Sequence, residues 1–290
     1  MKSIALLLAL LLFQAQAPPS TDIFVVDVTL QKSRHAIGRP LNVTAREGYD
    51  NQPMFLPDGG SLFYTSIREG RPTDIYRYTI ASRADVRMTD TTEGEYSATP
   101  TPDGRFFSVI RVEPDSTQRL WKFPIAGGTP SLVLENVKPV GYHTWIDDRT
   151  LLLFVLGSPA TLQLANATTG KSEVIASNIG RSLHRIPGQN KMSFIHKVGP
   201  EEWYIKSFDP QTRQTAELTR TLPGAEDIAW TPDGAALIGK DAKLYMWNPS
   251  SDTNWQEIAD FTSSGLKDIT RLALSPKGDR LAIVAVPVAK

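Results

Sequence analysis

Pro53-Met54-Phe55-Leu56-Pro57-Asp58-Gly59 decides how the rest of the chain is read, because its Pro-Asp-Gly ending returns along the whole sequence. The recurrences are Pro102-Asp103-Gly104, Pro232-Asp233-Gly234 and Pro276-Lys277-Gly278, with degenerate forms at Asp147-Asp148-Arg149 and Pro187-Gly188-Gln189. From 57 to 102, 147, 187, 232 and 276 the steps are 45, 45, 40, 45 and 44 residues. Self-similarity at a fixed period of this size marks a repeat architecture and takes precedence over local features.

Each marker lies between two runs suited to strands. In the first unit Pro57 fits the second position of a type I turn, and Gly59 supplies the left-handed residue that closes a bulged hairpin. Ser61 to Thr65 follows as a second strand, Asp74 to Thr79 as a third and Val86 to Thr89 as a short fourth. Four antiparallel strands in about 44 residues make a propeller blade. The second strands are short, nearly continuous apolar runs, as in Phe106 to Ile110, Leu151 to Val155, Met192 to Ile195 and Leu281 to Ala285. Such runs suit strands covered on both faces, which blades stacked face to face provide. No stretch after residue 17 has a convincing helical period. The fold class is therefore all-β: a six-bladed β-propeller of four-stranded antiparallel blades.

The sixth unit holds only two strands before the chain stops. Asp22 to Asp27 has the pattern of a third strand and Arg39 to Thr44 that of a fourth, so residues 18–45 are expected to complete the last blade and latch the ring. The propeller is expected to span residues 18–290 as one domain. Met1 to Ala17 has one lysine, a ten-residue apolar run from Ile4 to Phe13 and a small-residue Ala15-Gln16-Ala17 ending, the layout of a secretory signal. The run is too short to span a bilayer, so export with cleavage near residue 17 is expected and no transmembrane segment follows. Lys plus Arg and Asp plus Glu both number 31, so no bulk field draws the protein to nucleic acid or an anionic membrane. With no cysteine there is neither a disulfide nor a thiolate metal site.

Gln52 to Gly59 followed by Asp74-Ile75-Tyr76 resembles the repeat of the TolB-type six-bladed β-propellers, also called WD40-like or PD40 repeats, and the resemblance runs over essentially the whole chain after residue 17. It implies a periplasmic or secreted protein. It also implies work done by binding other proteins, as TolB does in the Tol-Pal cell-envelope system. Catalysis is not implied, since fold and function separate readily.

In a propeller the innermost strands line a central channel, which places the residues just before each marker at its wall. Five positions before each marker stand Gln52, Ser97, Tyr142, Ser182, Asp227 and Arg271; two positions nearer stand Met54, Thr99, Thr144, His184, Ala229 and Ala273. By strand alternation both sets face the channel, while Pro53, Ala98, His143, Leu183, Ile228 and Leu272 face neighbouring blades. The candidate binding residues at the mouth are Gln52, Tyr96, Tyr142, Arg181, Asp227 and Arg271, accompanied by Asp50 and Glu226. Tyr and Arg are favoured anchors at interfaces. A plain wet channel lined with polar side chains is the competing reading.

Catalytic, metal and cofactor signals are weak, and none is assigned. His184 with Asp227 is the one pair placed for metal binding, whereas such sites need two or three converging ligands. Ser97, Ser182, His184 and Asp227 group on the inner strands without a Gly-x-Ser-x-Gly elbow. His35 and His196 are expected in the latch and an outer strand. The expected function is an exported, non-catalytic propeller that binds a protein or cell-envelope partner through one face of the ring. The alternative is an enzyme or small-ligand binder of lyase, lactonase or hydrolase type that uses the channel mouth.

Overall fold

The computed structural model describes residues 18–31 and 34–288, so the expected export leader, Met1 to Ala17, lies outside the described residues. Blade 1 comprises Asp50–Phe55, Ser61–Ser66, Asp74–Thr79 and Ala84–Arg87, hydrogen-bonded in that order from the inside out. Blade 2 follows with Gly94–Pro100, Phe106–Val112, Gln118–Pro124 and Ser131–Leu132. Blade 3 is Val140–Trp145, Thr150–Val155, Thr161–Asn166 and Ser172–Ser177. Ile179–Arg185, Met192–Lys197, Trp203–Phe208 and Thr215–Arg220 form blade 4. Blade 5 is Ile228–Trp230, Ala236–Lys240, Lys243–Trp247 and Gln256–Asp260. The fold is a six-bladed all-β propeller, and the helical turn among the described residues is Thr262–Ser264.

Blade 6 is built from both ends of the chain. Leu266–Leu274 and Arg280–Pro287 supply its inner strands, and Asp22–Gln31 adds outside them with Asp22 opposite Ala285 and Asp27 opposite Arg280. The expected fourth strand is shorter than Arg39 to Thr44. Only Leu41–Asn42 pairs there, opposite Val25 and Phe24. The reason is that the third strand runs on to Gln31 and turns back through Arg34–Ile37, so a hairpin occupies the outer half of the edge. His35 lies on that hairpin. His196 lies on the second strand of blade 4, not an outer one, because that strand continues to Lys197.

Alternation along the second strands explains how the blades stack. In Ser61–Ser66 every residue is buried; Leu62 and Tyr64 pack with Ile23, Val25 and Val284 of blade 6, while Phe63 packs with Phe107 and Val109 of blade 2. The same division recurs around the ring. The buried apolar residues fall into six clusters, each shared by two neighbouring blades. The core is thus a ring of wedges, and a strand buried on both faces has to be apolar at successive positions.

A repeated polar link reinforces the stacking. The Trp145 indole N–H donates to Ser108 Oγ at 2.8 Å, and Trp230 donates to Ser193 Oγ at 2.8 Å. In each case a tryptophan two residues before the marker reaches a buried serine on the second strand of the preceding blade. The markers themselves are turns. Gly59, Gly104, Gly234 and Gly278 donate N–H back three residues at 2.8–2.9 Å with φ between 68° and 87°. At Gly278 a second constraint applies, since a Cβ there would come within 2.8 Å of Pro232 in the neighbouring turn.

Candidate functional site

The midpoints of the innermost strands surround a cavity of about 250 Å³ on the ring axis, bordered by residues of all six blades. The two sets of positions read from the markers, Gln52 to Arg271 and Met54 to Ala273, all border it. Pro53, Ala98, His143, Leu183, Ile228 and Leu272 are buried between blades. Pro53, Ala98, His143, Leu183 and Leu272 also touch the cavity wall.

The strands do not pass this level as regular ladders. Register shifts fall between Asn51 and Met54, Tyr96 and Thr99, Val140 and Tyr142, Ile179 and Leu183, and Lys267 and Arg271. A bulge leaves one residue unpaired and re-aims its side chain. Gln52 and Ser97, with φ of 56° and 55°, are such residues. Their backbone donors then need partners. Gln52 N–H is taken by Asn51 Oδ1 at 2.8 Å, Ser97 N–H by Gln52 Oε1 at 2.9 Å, and Ile228 N–H by Ser182 Oγ at 3.1 Å.

Four of the candidate binding residues meet at the mouth. Arg271 donates Nη2–H to Tyr142 Oη at 2.8 Å across 129 residues of sequence, and its Nη1 lies 3.3 Å from Asp227 Oδ2. Arg181 donates Nε–H to the same Asp227 oxygen at 2.9 Å and Nη2–H to the Thr270 carbonyl at 3.3 Å. Glu226 extends the chain outward, 3.5 Å from Arg181 Nη1 and 2.8 Å from Lys197 Nζ. The ammonium of Lys197 in turn lies 4.0 Å from the Trp203 ring centroid. Blades 3, 4, 5 and 6 therefore share one charged constellation. Tyr49, Lys197 and Trp203 were missed by reading upstream of the markers. Tyr49, adjacent to Asp50, is pushed up to about 12 by burial, opposed by the nearby Arg271 cation.

Three expectations for the mouth are revised. The Gln52 carboxamide oxygen is spent on Ser97 N–H and the Thr65 hydroxyl, because the bulge leaves that N–H without a ladder partner. Tyr96 does not border the cavity; it stands in a cleft of about 450 Å³ between blades 1 and 2, since the chain enters the bulge only after it. Asp50 is fully buried and binds Arg46 Nη2 at 2.6 Å, and burial raises its carboxyl above the ordinary range.

Both inner histidines serve in structural contacts. His143 Nε2 is 2.6 Å from Ser108 Oγ, and burial pushes its imidazole down to about 3. His184 Nε2 is 2.8 Å from Ser182 Oγ, and burial lowers it too, opposed by Asp227. The Ser182–His184 contact resembles a nucleophile and its base, but Ser182 is buried and its oxygen already accepts Ile228 N–H. Among the described residues no three His or carboxylate side chains converge as a metal set.

A depressed histidine makes the fold acid-sensitive. Between pH 6.5 and about 3 the unfolded chain binds a proton at His143 that the folded chain refuses, so stability falls as pH drops through this window. Replacing His143 with Gln is expected to shrink the loss of unfolding free energy between pH 7 and pH 5 by about 2 kcal/mol in urea titrations, one group with this displacement being worth that much. Asp50 and Glu95 act in the opposite direction, because burial raises both and protonation relieves them. An unchanged difference between wild type and variant would show that His143 is not held neutral.

The sequence matches no family model and no curated protein. Solved structures do match. The putative TolB from Agrobacterium tumefaciens is similar with a TM-score of 0.71 at 16% identity, over 93% of this chain and 99% of that one. The fold is that of the TolB-type propeller. TolB from Acinetobacter baumannii is similar with a TM-score of 0.58 at 12% identity, over 94% of this chain and 66% of that one. A puromycin-hydrolyzing peptidase of Mycobacterium tuberculosis also matches, with a TM-score of 0.58 at 11% identity, over 86% of this chain and 47% of that one. A TolB-like ring is thus found in an enzyme as well, and the site has to carry the functional reading.

Proposed function

We propose that this chain is an exported, non-catalytic propeller that binds a protein or cell-envelope component through the mouth face of the ring. The observation that carries the reading is the constellation of Tyr142, Arg181, Asp227 and Arg271, set inside a collar of exposed apolar side chains. Leu156, Val198 and Val288, each following a second strand at the mouth end, are 39%, 49% and 48% exposed. Apolar contact area around a few Arg and Tyr anchors is the anatomy of a protein interface. At the opposite end the strands are joined by the Pro-Asp-Gly turns, whose Pro57, Asp58, Asp103 and Asp233 are exposed and whose polar atoms are used locally. The export element of the reading rests on the Met1 to Ala17 layout. No helix among the described residues is long and apolar enough to cross a membrane.

Photo-crosslinking tests the reading directly. A crosslinking amino acid placed at Leu156 or Val198 is expected to capture one partner from cell-envelope extract, and the same residue placed at Asp58 on the turn face is not. The double variant Asp227→Ala, Arg271→Ala is expected to weaken capture by at least about 30-fold, the size of a central anchor lost. Equal capture from Asp58, or unchanged capture by the double variant, rejects the mouth as the interface.

A further inference from the structure

The cavity below the mouth offers ligand chemistry that docking of a partner on the collar does not use. Arg181 and Arg271 border it toward the mouth, and Arg185, which donates to the Ile146 carbonyl, borders it near the turn end, against the single carboxylate of Asp227. Just outside, Glu226 is shared between Lys197 Nζ at 2.8 Å and Arg181 Nη1 at 3.5 Å. Arg271 spends Nη1 on Asp227 and Nη2 on Tyr142, and a guanidinium has five N–H donors, so it retains capacity for an anion. Burial keeps His143 and His184 neutral, so they offer lone pairs and not charge.

A second observation is independent of charge. His143 Nδ1 and Ser97 Oγ have no hydrogen-bond partner, and His143 is only 7% exposed. The state of that nitrogen follows from its neighbour. Ser108 Oγ accepts the Trp145 indole N–H at 2.8 Å, lies 3.2 Å from the Thr99 carbonyl and lies 2.6 Å from His143 Nε2. A hydroxyl has one proton and two lone pairs. All three neighbours are met only if Ser108 gives its proton to Thr99 and accepts an N–H from His143 Nε2. Nδ1 is then a bare acceptor on a residue that borders the cavity, as Ser97 does. Orphaned buried polar atoms in a native protein call for an explanation such as a bound group.

We infer that the channel binds a small hydroxycarboxylate, its carboxylate received by Arg271 and its hydroxyls by the unpartnered His143 Nδ1 and Ser97 Oγ. An inorganic anion without a proton to donate leaves Nδ1 unmet, and a neutral polyol leaves Arg271 unmet. The volume of about 250 Å³ holds a small molecule and excludes a folded segment of a partner. This site is separate from the apolar collar, and neither requires the other.

Isothermal titration of the purified protein with D-gluconate, L-tartrate and D-lactate, against sorbitol and acetate, tests the inference. At least one hydroxy acid is expected to bind saturably at one site, and sorbitol and acetate at least about 30-fold more weakly. Ser97→Ala removes a hydroxyl that makes no bond within the protein, so it keeps the fold and is expected to weaken the best hydroxy acid about 5-fold, one hydrogen bond's worth. Arg271→Gln is expected to weaken it about 30-fold, the effect of losing a charge-assisted bond. Binding by none of the three acids, equal binding of sorbitol or acetate, or wild-type affinity in both variants overturns the inference. Should Arg271→Gln fail to fold, the Ser97 variant and the two control compounds decide. Hydroxy-acid binding without a crosslinked partner would sink only the mouth-face reading, and the reverse result only this one.

Discussion

Deletion of Asp22 to Thr44 is expected to leave no soluble, cooperatively melting protein. The deleted segment includes the third strand of blade 6, in which Ile23, Phe24, Val25, Val26 and Val28 are buried. Ile23 and Val25 pack toward blade 1, whereas Phe24, Val26 and Val28 pack toward blade 5. Burial of five such side chains is worth on the order of 10 kcal/mol, comparable with the whole stability of a typical domain. Deletion also unpairs the outer edge of Arg280–Pro287, whose Leu281 to Ala285 are fully buried in the intact ring. An unpaired apolar edge recruits strands from other chains, so aggregation is the expected outcome. Size-exclusion chromatography with calorimetry checks it. A monomeric truncate with a sharp transition would show that the ring does not depend on its latch.

Phe107→Ala is expected to cost about 4 kcal/mol and to lower Tm by on the order of 10 °C. Phe107 is fully buried in the wedge between blades 1 and 2. Its ring lies 4.9 Å from that of Phe63 and is stacked 5.5 Å from that of Phe123. Truncation opens a cavity whose walls are paired strands that cannot collapse into it. Phe106 provides the control. It is the preceding residue on the same strand, only partly buried and close to Lys122 and Arg105. Phe106→Ala is expected to cost only about 1 kcal/mol. Thermal unfolding of the two variants measures the strand register directly, and equal losses would contradict it.

The mouth constellation has a different energetic character. Arg271 and Asp227 have side chains 12% and 13% exposed, and Arg181 is 29% exposed. Ion pairs at this depth contribute little net stability, but removing one partner strands the other. A binding role and a structural role for Asp227 therefore have to be separated by measuring stability and capture on the same variant.

The primary structure by itself determined whatever is periodic and local. Blade number follows from the marker spacing, the turns from Pro and Gly at fixed offsets, and strand burial from continuous apolar runs. The closing of blade 6 by a strand beginning at Asp22 and read to Asp27 follows from an incomplete last repeat. Each is a pattern of backbone preference or side-chain alternation that needs no knowledge of distant contacts. Only the tertiary structure decided which polar residues at the channel are free. Gln52 and Ser182 carry the same polar signature as Tyr142 and Arg271, yet Gln52 satisfies the Ser97 N–H left open by a register shift, and Ser182 satisfies the N–H of Ile228 at the start of the blade 5 inner strand. Arg271 meets Tyr142 across 129 residues because ring closure brings blades 3 and 6 to face each other over the axis. Tyr96, one residue before Ser97, lies outside the cavity because the bulge begins only after it. A bulge shifts alternation by one residue, and whether a side chain then finds a neighbouring blade or open space depends on the packing of the ring, which period and composition do not encode.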